Sequence, residues 1–229
     1  MLNKSLQQQF VEKLMKYPAK TVFERHIYFI NFNDYNHSQP IYINLLRQPV
    51  SRAISDYYYT RYMCTIKRIC FRLNRAYTNE TLNDCVKYNE NRAHVCVSLA
   101  HGVHSAIAFF CGQNAYCEDY NTSTQALTTA ISNIEKYYII VGITEDFPRT
   151  LFVMEQLIPD MFKNIRQLYL NQNIKRIGQI PRIYKKPTTR QTKKILTDVL
   201  KYEIELYKFV EQRLYYQYKQ LSKKNSVLP

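Results

Sequence analysis

The chain has no tryptophan, only four glycines in 229 residues, and no glycine at all before Gly102. A glycine-rich phosphate-cradling turn therefore cannot lie in its first hundred residues, because such turns need backbone conformations and close approaches that a Cβ obstructs. Long uncharged apolar runs are missing too. The stretch 93–117 has no Lys, Arg, Asp or Glu, yet it holds three His, three Cys, Gln113 and Asn114, so it reads as buried helix and loop, not as a membrane span. Residues 1–20 carry Lys4, Glu12, Lys13, Lys16 and Lys20 and show no apolar core of a signal peptide. Negative charge is scarce: 18 Asp and Glu face 32 Lys and Arg, a net charge of +14. Such a field attracts polyanions, and charge alone leaves nucleic acid, anionic membrane and sulfated or uronic polysaccharide open.

What is present narrows the choice. The length suits one large domain with a substantial core. Twenty-one tyrosines and eleven phenylalanines give flat apolar faces with polar tips, which suit either a core or a surface that grips sugars. Six cysteines fall as Cys64/Cys70, Cys85/Cys96 and Cys111/Cys117. Zinc knuckles pair two Cys-x2-4-Cys couples, which these gaps fit poorly. An even number in close pairs suits local disulfides and an oxidising compartment. Four Asn-x-Ser/Thr acceptors (Asn3, Asn36, Asn79, Asn121) agree with that compartment. An oxidised, glycosylated protein needs an entry signal, so the expectation is that an N-terminal segment precedes this chain.

Periodicity gives the organisation. Leu6, Phe10, Val11, Leu14 and Met15 predict an amphipathic helix over 5–16. Residues 26–32 read as a strand, 40–46 as a more deeply buried one, and Pro49 opens a helix whose inward side is Val50, Ala53, Ile54, Tyr57 and Tyr58. Residues 62–98 look irregular, pinned by the cysteine pairs, with a helical turn near 81–88. Helices are expected at about 98–110 and 123–135, a third strand at 137–142, and a helix at 147–158. A basic loop over 171–189 and a long C-terminal helix over 190–220 complete a single domain. Strands alternating with helices make this α/β, a mostly parallel sheet flanked by helices.

The segment carrying the most chemistry is Ile41-Tyr-Ile-Asn-Leu-Leu-Arg47-Gln-Pro-Val-Ser-Arg52-Ala-Ile-Ser55-Asp-Tyr57. A buried strand delivers Arg47 to its carboxyl end, and a helix begins at once. Ligands of open α/β sheets bind in that crevice, where helix N–H groups and a guanidinium fork favour a phosphate. Ser55 lies one turn beyond Ser51 on the same face and offers a hydroxyl. An ordinary strand–helix junction with a surface Arg fits the same spacing, and both readings stand on the residues alone.

The pattern resembles the 3′-phosphate-binding motif of carbohydrate sulfotransferases, Arg-Asp-Pro-x-x-Arg-x-x-Ser-x-Tyr. The whole chain resembles the glycosaminoglycan 2-O-sulfotransferases through Arg25-His26-Ile-Tyr-Phe-Ile-Asn-Phe32, Pro40–Tyr59, Phe109-Phe-Cys111-Gly-Gln…Cys117, Val141-Gly-Ile-Thr-Glu145 and Lys175-Arg-Ile-Gly…Lys185-Lys186. The Arg-His pair, the Phe-Cys-Gly-Gln and the basic loop lean towards the uronyl branch. This resemblance implies a P-loop-like sulfotransferase fold and transfer of sulfonate from 3′-phosphoadenosine-5′-phosphosulfate (PAPS) to the 2-hydroxyl of a uronic acid. It implies His26 as catalytic base, Arg47 and Ser55 on the donor's 3′-phosphate, and Lys185 and Lys186 near the nucleotide. Arg72, Arg75 and Arg176 are the candidate cations for an acidic polysaccharide of heparan, dermatan or chondroitin type. No metal is expected, since His101 and His104 have no third ligand at useful spacing, and no nucleic acid, since no reader module is recognisable and the paired cysteines argue against it. Homo-oligomers are implied by the trimeric heparan branch, and the Golgi lumen by the family's type II membrane topology, although no anchor lies in these residues. Cys85–Cys96 and Cys111–Cys117 match family disulfides; Cys64–Cys70 is expected as a third bridge outside that pattern.

Two departures from the family stand out. Gln48 replaces the motif's Asp, and it should cap the following helix less well, by about 1 kcal/mol. The Lys-containing loop that wraps the donor's 5′-phosphosulfate in family members has no counterpart here. The expectation is therefore an incomplete fold, with little turnover from these residues by themselves, because leaving-group stabilisation is a large catalytic contribution. The alternative is a relative that binds acidic glycans without catalysis.

Overall fold

The computed structural model describes residues 1–70, 78–88, 93–98, 105–119, 123–171 and 181–226. The chain forms two compact units, residues 1–44 with 105–141, and residues 45–104 with 142–229. Strands β1 (Tyr42–Leu46) and β2 (Tyr138–Ile143) pair in a small parallel sheet. Parallel neighbours need a crossover in place of a hairpin, and here some ninety residues of mostly helical chain supply it.

In the first unit, helix α1 (Lys4–Met15) starts at Asn3, whose Oδ1 accepts the Leu6 N–H at 2.9 Å. Its apolar face buries Val11 against Ile30 and Phe32. The strand expected over 26–32 is absent: the backbone there is irregular and runs into a 3₁₀ turn at Phe32–Tyr35. Its side chains are buried as a strand's would be, but its backbone groups pair elsewhere. The Phe29 N–H donates to the Phe109 carbonyl at 2.9 Å, the Tyr42 hydroxyl donates to the Ile30 carbonyl at 2.7 Å, and the Phe32 N–H donates to Gln39 Oε1 at 3.2 Å. No ladder remains to be built.

Two helices complete this unit. Helices α5 (Ala106–Cys111) and α6 (Ser123–Tyr137) pack together, and Asn133 Nδ2 donates to the last carbonyls of α5, Phe110 at 2.9 Å and Cys111 at 3.1 Å. Gly112 ends α5 at φ 108°, where a Cβ would also meet the Phe29 carbonyl oxygen at 3.0 Å. Phe29 stacks on Tyr137 with ring centroids 5.0 Å apart, and Tyr42 and Phe110 both press on Tyr138.

The core of the second unit is the inward side of helix α2 (Pro49–Ile66). Val50, Ala53, Ile54, Tyr57 and Tyr58 pack against Leu82, Cys85 and Val86 of α3 (Leu82–Tyr88) and Cys96 and Val97 of α4 (His94–Ser98), with Leu196 closing the cluster. After β2, Asp146 caps α7 (Phe147–Leu157) by accepting the Arg149 N–H, and the short helices α8 (Pro159–Phe162) and α9 (Ile165–Asn171) follow.

Two helices expected from sequence differ in their bounds. Of the one over 98–110, residues 99–104 lie outside the described residues, and α5 is begun by Ser105, whose Oγ accepts the Ala108 N–H at 3.2 Å. The helix over 190–220 is α10 (Arg190–Val199) and α11 (Lys201–Ser226), broken at Leu200. No glycine or proline marks the break. The two pieces pack on different neighbours, α10 mainly on α3 and α2, and α11 mainly on α7.

Candidate functional site

Within the second unit, a cavity of about 670 Å³ opens where β1 ends and α2 begins. Arg47, the first residue after β1, reaches it from the strand end, and Ser51 from the first turn of α2. Lys185, Lys186, Pro187 and Thr188 wall it from the basic loop, and Lys193 and Thr197 from the exposed side of α10. Its lining holds four cations and no carboxylate. No side-chain hydrogen bond or ion pair ties any of the four to another described residue, whereas Arg52, Arg61, Arg149 and Arg166 are each neutralised by an Asp or Glu. An unbalanced cationic recess of this size favours an anion bearing several charges.

The junction itself is tightly held. Gln48 does cap α2, its Oε1 accepting the Ser51 N–H at 2.7 Å, while its carbonyl accepts the Arg52 N–H at 2.9 Å. The longer side chain thus achieves what was expected of an Asp. Because Pro49 has no N–H, this leaves the Val50 N–H as the first-turn donor with no partner among the described residues. An anion here therefore depends on Arg47 and the lysines more than on the helix terminus. Glu145, two residues beyond β2, braces the same corner. Its Oε1 accepts the Gln48 N–H at 3.0 Å, and its Oε2 accepts the Tyr207 hydroxyl of α11 at 3.2 Å. Burial first, and then the Glu145 carboxylate, push the Tyr207 hydroxyl above its ordinary pKa.

The lysine-bearing loop is fixed from α3. Asn83 Nδ2 donates to the Pro187 carbonyl at 2.9 Å, and Asn83 Oδ1 accepts the Thr189 N–H at 3.0 Å. Thr189 in turn caps α10 by accepting the Thr192 N–H at 3.1 Å. One side chain thus determines both where Lys185 and Lys186 stand and where α10 begins.

Of the residues singled out by sequence, Arg47, Lys185 and Lys186 share this cavity. Ser55 is half-buried one turn further along α2 and is not in the lining; Ser51 occupies that place. His26 belongs to the first unit, where it is exposed at the centre of a turn closed by the Ile27 N–H on the Arg25 carbonyl at 3.0 Å. Its ring has no partner among the described residues. Arg72, Arg75, Arg176, His101, His104 and residues 172–180 of the basic loop lie outside the described residues. The cysteines pair as Cys64–Cys70, Cys85–Cys96 and Cys111–Cys117. Among the described residues no three His, Cys, Asp or Glu side chains are grouped to hold a metal ion, and no helix is long and apolar enough to cross a membrane.

Lys193, Asn83 and Glu145 were not picked out by sequence reasoning. Lys193 could have been, as a cation on the exposed side of a strongly amphipathic helix beside the basic loop. Glu145 stood in the stretch Val141-Gly-Ile-Thr-Glu145 without a role. Asn83 carried no signal.

No family model matches the chain. It is 32% identical over 242 residues to the uronyl 2-sulfotransferase homolog pip of Drosophila melanogaster, covering 96% of this chain and 45% of that protein. It is 26% identical over 234 residues to uronyl 2-sulfotransferase of Mus musculus (99% of this chain, 55% of that protein). A heparan sulfate 2-O-sulfotransferase of Caenorhabditis elegans is 29% identical over 190 residues (82% and 56%). The chain spans about half the length of the curated relatives it matches.

Proposed function

The chain belongs to the family of uronyl and heparan sulfate 2-O-sulfotransferases, and from that premise we propose that it serves sulfonate transfer from PAPS to the 2-hydroxyl of a uronic acid in a glycosaminoglycan. The observation that carries this reading is the cationic cavity at the end of β1. Arg47 offers two parallel donors to a phosphate group, and Lys185, Lys186 and Lys193 supply point charges around it. A 3′-phosphorylated nucleotide carries several negative charges and fits a recess of this volume. Ser55, one turn along α2, is assigned a supporting hydroxyl.

PAPS supplies an activated sulfonate. As the sugar hydroxyl oxygen bonds to sulfur, the bond from sulfur to the bridging oxygen breaks and leaves adenosine 3′,5′-bisphosphate. A sugar hydroxyl is a weak nucleophile at neutral pH and needs a base in reach. His26 is assigned that role; its exposure supports it, since a sugar hydroxyl can reach the ring. Arg72, Arg75 and Arg176 remain the proposed polysaccharide contacts. Three disulfides support work in an oxidising lumen, which we take to be the Golgi.

Labelled sulfonate from PAPS, offered with desulfated heparin or dermatan, tests the reading. Label should enter the polymer with the full-length protein, these residues by themselves giving little turnover, and His26→Ala in the full-length protein should abolish entry while adenosine 3′,5′-bisphosphate still binds. Turnover retained in His26→Ala removes the base assignment. Retention of heparin with no transfer by any form of the chain supports instead a relative that binds acidic glycans without catalysis.

A further inference from the structure

The first unit contains a clamp whose position suits it to hold His26 in place. Downstream of the His26 turn, three hydrogen bonds tie the backbone and side chain of the next residues to one short segment, 109–118. The Phe29 N–H donates to the Phe109 carbonyl at 2.9 Å, and Gln113 Nε2 donates to the Tyr28 carbonyl at 3.0 Å. The Tyr28 hydroxyl donates to Glu118 Oε1 at 2.5 Å. Segment 109–118 is itself rigid. The Cys111–Cys117 disulfide closes it, a 3₁₀ turn at Ala115–Cys117 fills it, and Asn133 holds its start from α6. Glu118 follows Cys117 directly, so the disulfide fixes where its carboxylate can reach.

Tyr28 is the part of this arrangement that needs explaining. Only 7% of it is exposed, its ring meets Phe109 edge-on at 6.3 Å, and burial followed by the Glu118 contact pushes its hydroxyl far above its ordinary pKa. A buried phenol on a carboxylate is a charge-assisted bond that resists sliding of the segment. Two residues away, the histidine at the turn centre makes no side-chain hydrogen bond or ion pair to another described residue.

We propose that Glu118 and Tyr28 are positioning residues for His26, acting through the Cys111–Cys117 loop to fix the turn that presents its imidazole. This rests on His26 being the base. The variants Tyr28→Phe, Glu118→Ala and Glu118→Gln test it in the full chain. The first two should lower kcat about tenfold, because a base displaced by a fraction of an ångström loses its alignment. The donor KM and the thermal midpoint should hold, and the double variant Tyr28→Phe/Glu118→Ala should be no slower than either single one. Glu118→Gln keeps an acceptor for the hydroxyl and should stay within about threefold of the parent.

Two further readouts do not depend on turnover. In Tyr28→Phe and Glu118→Ala the His26 Cε1–H resonance should shift and the Phe29 amide should exchange faster with solvent. Unmoved His26 resonances, or a kcat within twofold of the parent in both variants, overturn the proposal. So does a loss of kcat that merely follows a fall in the thermal midpoint. If the parent transfers no sulfonate, the functional reading fails by itself, and the resonance and exchange data still decide whether this pair orients His26.

Discussion

Replacing Gly142 by alanine should be among the most damaging single-methyl additions available to the second unit. A Cβ built on Gly142 overlaps Thr150 Cγ2 and stands 2.8 Å from Leu45 Cδ2. Leu45 is 41% exposed, so its tip can swing away, but Thr150 is fully buried and cannot. Its Oγ1 accepts the Ile143 N–H at 3.0 Å and donates to the Ile143 carbonyl at 3.1 Å, so retreat of the methyl strains two buried bonds. Overpacking costs about 1–3 kcal/mol, and partial loss of two hydrogen bonds adds about 1 more, giving about 3 kcal/mol in all. Thr150→Ser removes the obstructing methyl, keeps the hydroxyl, and should by itself cost about 1 kcal/mol for one buried carbon. If steric overlap is the mechanism, Gly142→Ala/Thr150→Ser should cost about 2 kcal/mol instead of the additive ~4. Urea denaturation followed by circular dichroism measures all four proteins. Additivity within about 0.5 kcal/mol would refute the overlap argument, because the serine variant no longer carries the buried methyl that the new Cβ meets.

Other consequences can be checked by simple means. Arg47→Ala should weaken adenosine 3′,5′-bisphosphate binding about ten- to hundredfold by calorimetry, the loss of a charge-assisted contact, and Lys186→Ala should weaken it less and flatten its dependence on salt. Asn83→Ala frees the loop bearing both lysines and unseats the start of α10, so it should lower nucleotide affinity several-fold without touching the ligand. Thiol titration of the denatured, unreduced chain should find no free thiol, and reduction should cost about 2–3 kcal/mol per bridge for loops this short. Burial raises the hydroxyl pKa of Tyr42, Tyr57 and Tyr138 above that of an unfolded tyrosine. The unfolded chain then loses protons first as pH climbs past about 10, so stability is full below that pH and falls above it. Absorbance at 295 nm near pH 11 should count fewer ionised tyrosines in the folded chain than in urea, and equal counts would contradict their burial.

The residues that sequence alone placed correctly are those whose pattern is set by backbone period. Val50, Ala53, Ile54, Tyr57 and Tyr58 recur at helical spacing, and they are the buried side of α2. The run into Arg47, followed by Pro49, made a strand end and a helix start recognisable, and the cationic cavity opens there. The same rule misread residues 26–32: their burial matches a strand, but period says nothing about which groups will accept the backbone hydrogens. Phe109 and Gln39 accept from two of their N–H groups, and the Tyr42 hydroxyl donates to one of their carbonyls. The break at Leu200 was likewise silent, because the apolar repeat continues through it while the packing partners change.

The amino-acid sequence by itself determined the positive charge, the cysteine pairs, the strand–helix corner and three of the four cations gathered around it, Arg47, Lys185 and Lys186. Tertiary structure alone decided how that corner is held. Gln48 meets Glu145 across 97 residues, and Asn83 meets Pro187 across 104. Local spacing fixes which face of an element is apolar, because 3.6 residues make a turn wherever a helix forms. It cannot fix which distant polar group will arrive opposite a given N–H, since that depends on how the cores of packed elements settle against one another.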